Sequence, residues 1–531
     1  MLNKFFSFYF FFKTFVFLNK IEKKFIKFNN IKWTQNKNTF TQEKKESIIL
    51  VDLFLWYPLI YFWSYLVNLI SIKEKIKIRF FYFHFYQNKR SNYFFYISKI
   101  KKIFKSFNVE EGLNEYKFIY NKEEIAKYKK IFLTIKSKEK LLKFKIDNIL
   151  IGDLIYDTFL RTGLEPTIIL NDPRLEKIFI RSLKIFYEVN DYFNKHNIKY
   201  VVPSHLCYLY GIISRIALKN KIKVFKVRTE NMSSSSFQLI KVDKFCLDEQ
   251  PYYKYKKEFD KFNKIQKVLA LKKGKEIIRN RVKGQYDSSL PYMLKSQFRK
   301  SNKNIFIKKN TKDKIIIFPH CFYDYPHRYR SMIFPDFYEH AVFFMNLSKK
   351  LNQYDWYYKP HPNSLIGHIN IHKKLIKKYN SVNYLDQNVS HSDILKLKPK
   401  CIITNHGTVA HEYAYFNIPV INTGDNPHIN YKFCLNPKNK KELIKILFNL
   451  NYYCKKISFD KRYIYEFLYM HYDYYKNKYK RNELIKDSFF AHSKVENNVT
   501  SKVLDYIMKQ DINNSDNIKK YINNFLNSNL N

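Results

Sequence analysis

The segment Lys359-Pro360-His361-Pro362 combines residue types that could bind a phosphate. The proline on each side of His361 excludes a helix and favours an extended chain at the end of a predicted strand, Trp356–Lys359. Lys359 and His361 are two residues apart, so their side chains share one face of that strand. Together they could hold a phosphate, although a tight turn with a surface histidine would give the same pattern.

A second segment, Asn405-His406-Gly407-Thr408-Val409-Ala410-His411-Glu412, follows a predicted strand, Cys401–Thr404. The glycine turn leads into a predicted helix, Val409–Phe416, whose start would offer unpaired N–H groups and a positive dipole end to an anion. Thr408 is the predicted N-cap. Glu412 lies one turn later, and because a carboxylate repels phosphate, it suits ribose hydroxyls better. Helix capping with a solvated Glu412 is the alternative.

The loop after the predicted strand Lys314–Pro319 carries His320, Asp324 and His327. Polar groups gathered between a strand and a helix suit the wall of a cleft. An irregular loop stabilised by aspartate side-chain turns would also explain them.

The first half of the chain offers two further candidates. Asp153 follows a predicted strand that ends within Asn148–Gly152, where it could act as a general base toward a hydroxyl or simply cap a helix. His205 follows the predicted strand Lys199–Pro203 in the same way.

These candidates need elements that place them at one edge. Strand-like and helical runs alternate from 46 to about 245 and again from 306 to 450, which predicts α/β architecture with parallel sheets. Two tandem Rossmann-like, doubly wound units facing a cleft are the expected fold, with ligands beyond the carboxyl ends of the strands. Ten of the fifteen histidines fall between His320 and His428, in the second unit.

The expected domain boundaries follow shifts in pattern and composition. They are an N-terminal extension (1–45), a first Rossmann-like domain (46–249), a helical connector (250–305), a second Rossmann-like domain (306–450), and C-terminal helices with a polar tail (451–531).

A long apolar run raises the question of a membrane span. Ile48–Ile72 is apolar for most of its length, but Asp52 and Pro58 interrupt it. A buried β-α-β start explains it better than a span, with the elements Ile48–Phe54, Pro58–Ile72 and Lys75–Phe83.

Composition excludes some classes of function. The chain has 531 residues, 46% of them hydrophobic, so a disordered chain is excluded. The formal charge of +50 comes from lysines spread along the whole chain rather than grouped on one face, so nucleic acid is not the expected partner. Six scattered cysteines without a CxxC pair, and no apparent cleavable signal, favour a cytoplasmic protein, with peripheral contact at the inner membrane face left open.

Common catalytic templates are missing. No P-loop, GxGxxG, HExxH, GxSxG or Asp-x-Asp pattern occurs, and His406 and His411 are five residues apart, off the spacing of a metal pair. No metal site and no cofactor are therefore expected.

Several segments resemble bacterial capsule and surface polysaccharide biosynthesis proteins, which are similar to GT-B glycosyltransferases such as Kdo and polysialic acid transferases with a His-Pro motif. The segments are KPHPNS (359–364), NHGTVAHEYAYFNIPVIN (405–422), FPHCFYDYPHRYRSMIFPDFYEH (318–340), IGDLIYDTFLRTG (151–163) and SHLCYLYGIISRIAL (204–218).

The resemblance implies a nucleotide-sugar donor on the second half and a glycan or lipid-linked acceptor on the first. His361, assisted by Lys359, would contact the donor phosphate together with the turn at His406, Gly407 and Thr408.

In the same comparison, Glu412 would hold the ribose. Asp153 or Asp324 would be the base, with His205 and His327 as competitors, and His320 would join these two histidines on the acceptor side. A nucleotide-sugar epimerase or a polyol-phosphate transferase on the same fold, and a non-catalytic basic binding module, are the alternatives.

Overall fold

The computed structural model describes the chain in stretches: residues 18–34, 46–84, 90–162, 165–229, 237–242, 251–285, 296–299, 311–324, 326–328, 332–362, 364, 366–405, 407–457, 459–474 and 502–530. Two Rossmann-like sheets organise these stretches, and helices pack against both, so the predicted α/β class is confirmed.

The first sheet has six strands in the order β3-β2-β1-β6-β7-β8, parallel except for the antiparallel pair β7–β8. Its strands are β1 (Ser47–Asp52), β2 (Lys77–Tyr82), β3 (Val109–Asn114), β6 (Asn197–Val202), β7 (Lys223–Thr229) and β8 (Phe237–Lys241). The run from Ile48 to Val51 is completely buried, as expected for a central parallel strand covered on both faces.

Helices connect and cover these strands. They are α1 (Lys20–Lys32), α2 (Tyr57–Glu74), α3 (Arg90–Lys105), α4 (Lys122–Leu133), α5 (Lys138–Leu142), α6 (Gly152–Arg161), α7 (Pro173–Lys195) and α8 (Gly211–Lys219). Short 3-10 turns lie at Glu115–Lys117 and Tyr208–Tyr210.

The second sheet has five parallel strands in the order β11-β10-β9-β12-β13. They are β9 (Lys314–Phe318), β10 (Asp355–Tyr358), β11 (Val382–Tyr384), β12 (Cys401–Thr404) and β13 (Val420–Asn422). The helices around it are α9 (Tyr255–Asp260), α10 (Lys264–Val282), α11 (Phe337–Lys350), α12 (Ile366–Lys378), α13 (His391–Leu395), α14 (Val409–Tyr415), α15 (Lys440–Phe448), α16 (Leu450–Lys455) and α17 (Lys461–Tyr469).

One predicted strand belongs to a different sheet from the one expected. Residues near Asn148–Gly152 do not join the main sheet: β4 (Lys145–Ile146) and β5 (Ile149–Leu150) form a small antiparallel hairpin. Asp147 and Asn148 both have positive φ, at 48° and 65°, which is the backbone of a two-residue hairpin turn.

The apolar run at Ile48–Ile72 forms β1 and α2, as the β-α-β interpretation predicts, and the next strand is β2. Among the residues described, no helix combines the length and the apolar character that crossing a membrane requires. The last helix, α18 (Lys502–Asn529), returns to pack on α2, and Lys32 forms an ion pair with Asp511 at 2.6 Å. The domain boundaries given above stay a prediction.

The strand order reverses once in each sheet, between β1 and β6 and between β9 and β12. At such a point the two connections leave toward opposite faces of the sheet, and a crevice opens beyond the strand ends. Each sheet therefore has one position where a ligand site is expected.

Candidate functional site

The carboxyl edge of the second sheet, which includes the crevice between β9 and β12, gathers residues from two neighbouring strand ends. His320 follows β9, whereas Lys359 and His361 follow β10, and the rings of His320 and His361 lie 5.6 Å apart between centroids. The Nζ atom of Lys359 lies 5.8 Å from the ring centroid of Phe318, at the end of β9. The structure thus brings together three of the residues singled out from the sequence.

Lys359 is the most unusual of them because it is a cation that is only 1% exposed. Burial lowers the pKa of Lys359 to about 8. The carboxylates of Asp386 and Glu412 act in the opposite direction but offset only part of this decrease. Within the described ranges, its Nζ forms no ion pair and no hydrogen bond. An anionic ligand would stabilise a buried ammonium that lacks a partner, because burial has already removed most of its contact with water.

The two histidines beside it are neutral at pH 7. Burial, with the nearby His320 and Lys359, lowers the pKa of His361 to about 3, and burial also lowers the pKa of His320. The Nδ1 atom of His361 lies 3.5 Å from the Sγ of Cys321. A neutral imidazole can still donate one N–H to a phosphate oxygen, so His361 can contribute a hydrogen bond without a charge.

Glu412 is buried rather than solvated. Its carboxylate accepts a hydrogen bond from His391 at 3.1 Å and lies 3.7 Å from the guanidinium of Arg281 on α10. Burial alone would raise the pKa of Glu412, but His391 and Arg281 hold it below its ordinary value. The solvated alternative is therefore wrong, and Glu412 is a charged, oriented acceptor.

The turn before Glu412 differs from the expectation in one detail. Thr408 occupies the N-cap position of α14, but its side chain makes no capping bond and instead supports the Glu412 carboxylate. Gly407 lies in a tight turn, where an added Cβ would come within 2.9 Å of the Oγ1 of Thr404. His406 lies outside the described residues.

The two aspartates predicted as bases lie in different surroundings. Asp153 forms a bidentate ion pair with Arg215 of α8 at 2.6 and 2.7 Å, so its carboxylate is already engaged. Asp324 lies 3.8 Å from His320, with its side chain 35% exposed. The structure therefore places Asp324 beside His320 at the second-sheet crevice, whereas Asp153 is paired with Arg215 in the first half of the chain.

The crevice of the first sheet contains a different set of groups. Asp52 at the end of β1 accepts hydrogen bonds from the backbone and hydroxyl of Ser204, and Nδ1 of His205 lies 2.9 Å from that hydroxyl. Arg181 of α7 pairs with Glu115 beside His84. Aromatic side chains, including Phe83, Tyr208 and Tyr210, line the small hollow next to this pair.

Direct contacts link the two halves of the chain. Nδ1 of His327 lies 2.5 Å from Oδ1 of Asp157 on α6, and Tyr156 donates a hydrogen bond to Asp336. Asp336 is the N-cap of α11, and it also accepts a hydrogen bond from Thr167 at 2.6 Å.

Sequence reasoning missed several of these residues as parts of a site: Asp52, Arg281, Asp336 and His391. The one local signal was Asp52, a carboxylate within an otherwise apolar strand. Arg281 and His391 are distant in sequence from Glu412, and only the fold brings them together.

Comparisons with known proteins find no matching family and no matching curated protein. Among solved structures, the chain is similar to the β-Kdo 2,4 transferase of KpsC from Thermosulfurimonas dismutans, at 11% identity and a TM-score of 0.31, over 52% of this chain and 79% of that one. It is also similar to the β-Kdo 2,7 transferase of the same protein, at 13% identity and 0.28, over 55% and 86%.

A third similar structure is the UDP-GlcNAc 2-epimerase of Neisseria meningitidis bound to UDP-GlcNAc, at 11% identity and a TM-score of 0.24, over 80% of this chain and 97% of that one. At these scores, the likeness does not bear on function, which has to be argued from the residues themselves.

Proposed function

We propose that this protein is a glycosyltransferase that moves a sugar from a nucleotide-activated donor to a growing surface polysaccharide or a lipid-linked glycan. The observation that carries the proposal is Lys359, a buried cation without an ion-pair partner in the described chain, beside His361 in the second-sheet crevice. Glycosyl transfer leaves negative charge on the departing phosphate, and a fixed cation in a dry site stabilises that charge.

On the donor side, Lys359 supplies the charge and His361 an N–H for the leaving phosphate. Glu412, held charged by Arg281 and His391, accepts hydrogen bonds from the ribose hydroxyls. Gly407 lets the backbone of the turn come close to the nucleotide, and His406 and Thr408 complete this side. No metal is needed in this scheme, because Lys359 provides the positive charge.

On the acceptor side, the proposed contacts are His205 and His327, together with the aromatic hollow of the first sheet, whereas His320 lies beside His361 on the donor side. A sugar suits such a lining because its C–H faces pack on aromatic rings while its hydroxyls bond to polar side chains. Asp324 is better placed than Asp153 to act on the reacting centre, because Asp153 is engaged by Arg215.

We also propose peripheral contact with an anionic membrane surface, from a protein that stays in the cytoplasm. The first turns of α10 expose Ile265, Val268 and Leu269, at 72%, 60% and 60%. The exposed lysines Lys264 and Lys272 flank this stripe, which matches a helix lying in a membrane interface with basic residues toward the anionic headgroups.

The test is product analysis with purified full-length protein. The protein is incubated with CMP-, UDP- and GDP-sugars or a CDP-polyol, and with an oligosaccharide acceptor, and the products are resolved by mass spectrometry. A sugar mass added to the acceptor supports transfer, whereas an isomerised donor or a transferred polyol phosphate supports the alternatives.

His361→Ala should lower transfer about 100-fold or more, since one preorganised donor in such a site is worth a factor of about 10²–10³. His372→Gln is the matched control, because His372 is buried in the same half and bonds to Tyr358. Equal transfer by wild type and His361→Ala would contradict the assignment.

A further inference from the structure

We propose that His327 is the general base of the transfer reaction and that Asp157 is the positioning residue that orients it. This inference rests on the proposed glycosyl transfer. It favours His327, a competitor for the base already in the sequence, over Asp153 and Asp324, and adds a partner that the fold brings from the other half of the chain.

The side chains of His327 and Asp157 are far apart in the sequence but make one short contact in the fold. His327 lies in a 3-10 turn, Pro326–Arg328, in the connection that follows β9, and Asp157 lies on α6 in the first half. Nδ1 of His327 is 2.5 Å from Oδ1 of Asp157, and the ring packs edge-on against Tyr156 with centroids 4.9 Å apart. Two adjacent residues of α6, Tyr156 and Asp157, thus hold the imidazole in place.

The other ring nitrogen has no such partner. Nε2 of His327 is buried and forms no hydrogen bond in the part of the chain that the structure describes. Because Nδ1–H donates to the Asp157 carboxylate, a neutral His327 carries its lone pair on Nε2. A buried acceptor without a donor is costly, and a hydroxyl of a bound ligand is the group that would satisfy it.

The electrostatic surroundings favour proton uptake at this nitrogen. Burial opposes the charged imidazole, but the carboxylate of Asp157, with Asp153 and Asp336 farther away, raises the pKa of His327. Burial also raises the pKa of Asp157 to about 6. Asp153 and Tyr156 on α6 and Asp336 at the start of α11 are the other titratable groups facing the ring, and Arg215 compensates the charge of Asp153.

The position of the pair fits a role between two substrates. Asp157 belongs to the half that carries the proposed acceptor hollow, and Thr158, the next residue, lines that hollow. His327 belongs to the loop that also carries His320 beside the donor phosphate site. In this scheme the acceptor hydroxyl binds at this junction, next to the donor sugar and within reach of His327.

The chemical step is a direct displacement. The acceptor hydroxyl oxygen forms the new bond to the anomeric carbon as its proton passes to Nε2 of His327. The bond from the anomeric carbon to the phosphate oxygen breaks, and the electron pair leaves with the nucleotide phosphate. The resulting imidazolium is stabilised by the Asp157 carboxylate and releases its proton after product departure.

The experiment compares wild type with His327→Gln, His327→Ala, Asp157→Asn and Asp324→Asn, each as full-length protein, with His372→Gln as the matched histidine control. Transfer rates are measured from pH 5 to 9 with the nucleotide sugar that gives turnover, and the thermal shift caused by the free nucleotide reports donor binding separately.

His327→Gln should lower the transfer rate at pH 7.5 by about 10²–10⁴-fold while leaving the nucleotide-induced shift intact. The wild-type rate should fall at low pH as His327 becomes protonated. Asp157→Asn should move this acid limb of kcat/KM to lower pH, because it removes the carboxylate that raises the pKa. Imidazole added to His327→Ala should restore part of the rate, which a purely structural histidine would not show.

Near-wild-type turnover by His327→Gln would overturn the inference. So would a His327→Gln protein that loses the nucleotide-induced thermal shift, if imidazole also fails to rescue His327→Ala. Both results would leave the proposed glycosyl transfer intact. Loss of turnover in Asp324→Asn, with His327→Gln unaffected, would assign the base to Asp324 instead. A wild-type protein that transfers no sugar from any donor would overturn the proposed function, and this inference with it.

Discussion

The two crevices differ in how their buried charges are balanced. In the first sheet, Arg181 is 8% exposed and is locked to Glu115, whereas in the second sheet Lys359 is 1% exposed and has no such carboxylate in the described chain. Burial acts against both cations, yet the pKa of Arg181 is raised by Glu115 and that of Lys359 falls to about 8. A charge that is already paired holds the fold together, whereas an unpaired one is available for an anionic ligand.

The same contrast separates the expected ligands. Neutralised charges and aromatic rings at the first edge suit an uncharged sugar, whereas the unpaired cation at the second edge suits a phosphate.

Replacing each cation by methionine should separate the two roles most strongly. Arg181→Met leaves the Glu115 carboxylate buried without its partner, so the free energy of unfolding should fall by about 3–5 kcal/mol. Lys359→Met removes a desolvated charge and strands no paired carboxylate, so stability should stay the same or rise. Urea unfolding of both variants at pH 7 measures this, and an equal loss in both would contradict the contrast.

Asp52 in the first crevice should make the free energy of unfolding depend on pH. Burial raises its pKa to about 7, so folding favours the protonated form. Below about pH 4, Asp52 is protonated in both states and does not lower the folding stability. The loss of folding stability grows as the pH rises toward 7 and reaches its full value above pH 7. Asp52→Asn avoids this cost and should stabilise the protein at pH 8, by about 4 kcal/mol at most, given 1.36 kcal/mol per pKa unit.

Urea unfolding of wild type and Asp52→Asn at pH 4 and pH 8 checks this. The two proteins should have similar stability at pH 4 and differ at pH 8. A variant that is less stable than wild type at pH 8 would show that Ser204 needs the carboxylate.

Glu412 should decide ribose recognition in the second crevice. A hydrogen bond to a charged acceptor contributes about 1.5–3 kcal/mol, so Glu412→Gln should weaken ribonucleotide binding about tenfold to a hundredfold. Nucleotides lacking ribose hydroxyls should lose less affinity from the same change. Titration calorimetry at equal protein stability is the measurement, and equal losses for both ligands would place Glu412 away from the ribose.

The exposed stripe on α10 should give the smallest effect. Leu269→Glu should reduce co-sedimentation with vesicles containing anionic lipid about tenfold, because partial burial of one leucine is worth about 1.5 kcal/mol. Leu133→Glu is the control, since Leu133 is 62% exposed on α4 outside the stripe. Equal binding by both variants, or equal binding to zwitterionic vesicles, would exclude this surface.

How far the sequence predicts the molecule depends on the range of the interaction. The strand at Cys401–Thr404 was predicted at its observed bounds, since its buried residues and the following glycine turn are local signals. The sequence does not predict the edge strand β3, Val-Glu-Glu-Gly-Leu-Asn. Its charged residues and its glycine interrupt the apolar run that identifies the central strands. The strand predicted to end within Asn148–Gly152 forms part of a small hairpin instead of the main sheet, and its turn, Asp147-Asn148, is a dipeptide that favours positive φ.

The candidate site divides in the same way. Lys359 and His361 are two residues apart on one strand end, so their proximity follows from local geometry. The partners of Glu412 come from α10 and α13, and the contact between Asp157 and His327 spans 170 residues. Such contacts depend on how the two halves pack, which no local pattern encodes.

The most direct test of the central claim is calorimetric binding of nucleotides to the wild-type protein and to Lys359→Met at pH 7. The panel is CMP, CDP, UDP and GDP, with the matching nucleosides as ligands that lack phosphate. We predict that one nucleotide class binds, that its nucleoside binds at least 100-fold more weakly, and that Lys359→Met loses this difference while remaining folded. Wild type that binds no nucleotide at millimolar concentration, or Lys359→Met that binds as wild type does, would contradict the assignment of the second-sheet crevice to a nucleotide phosphate.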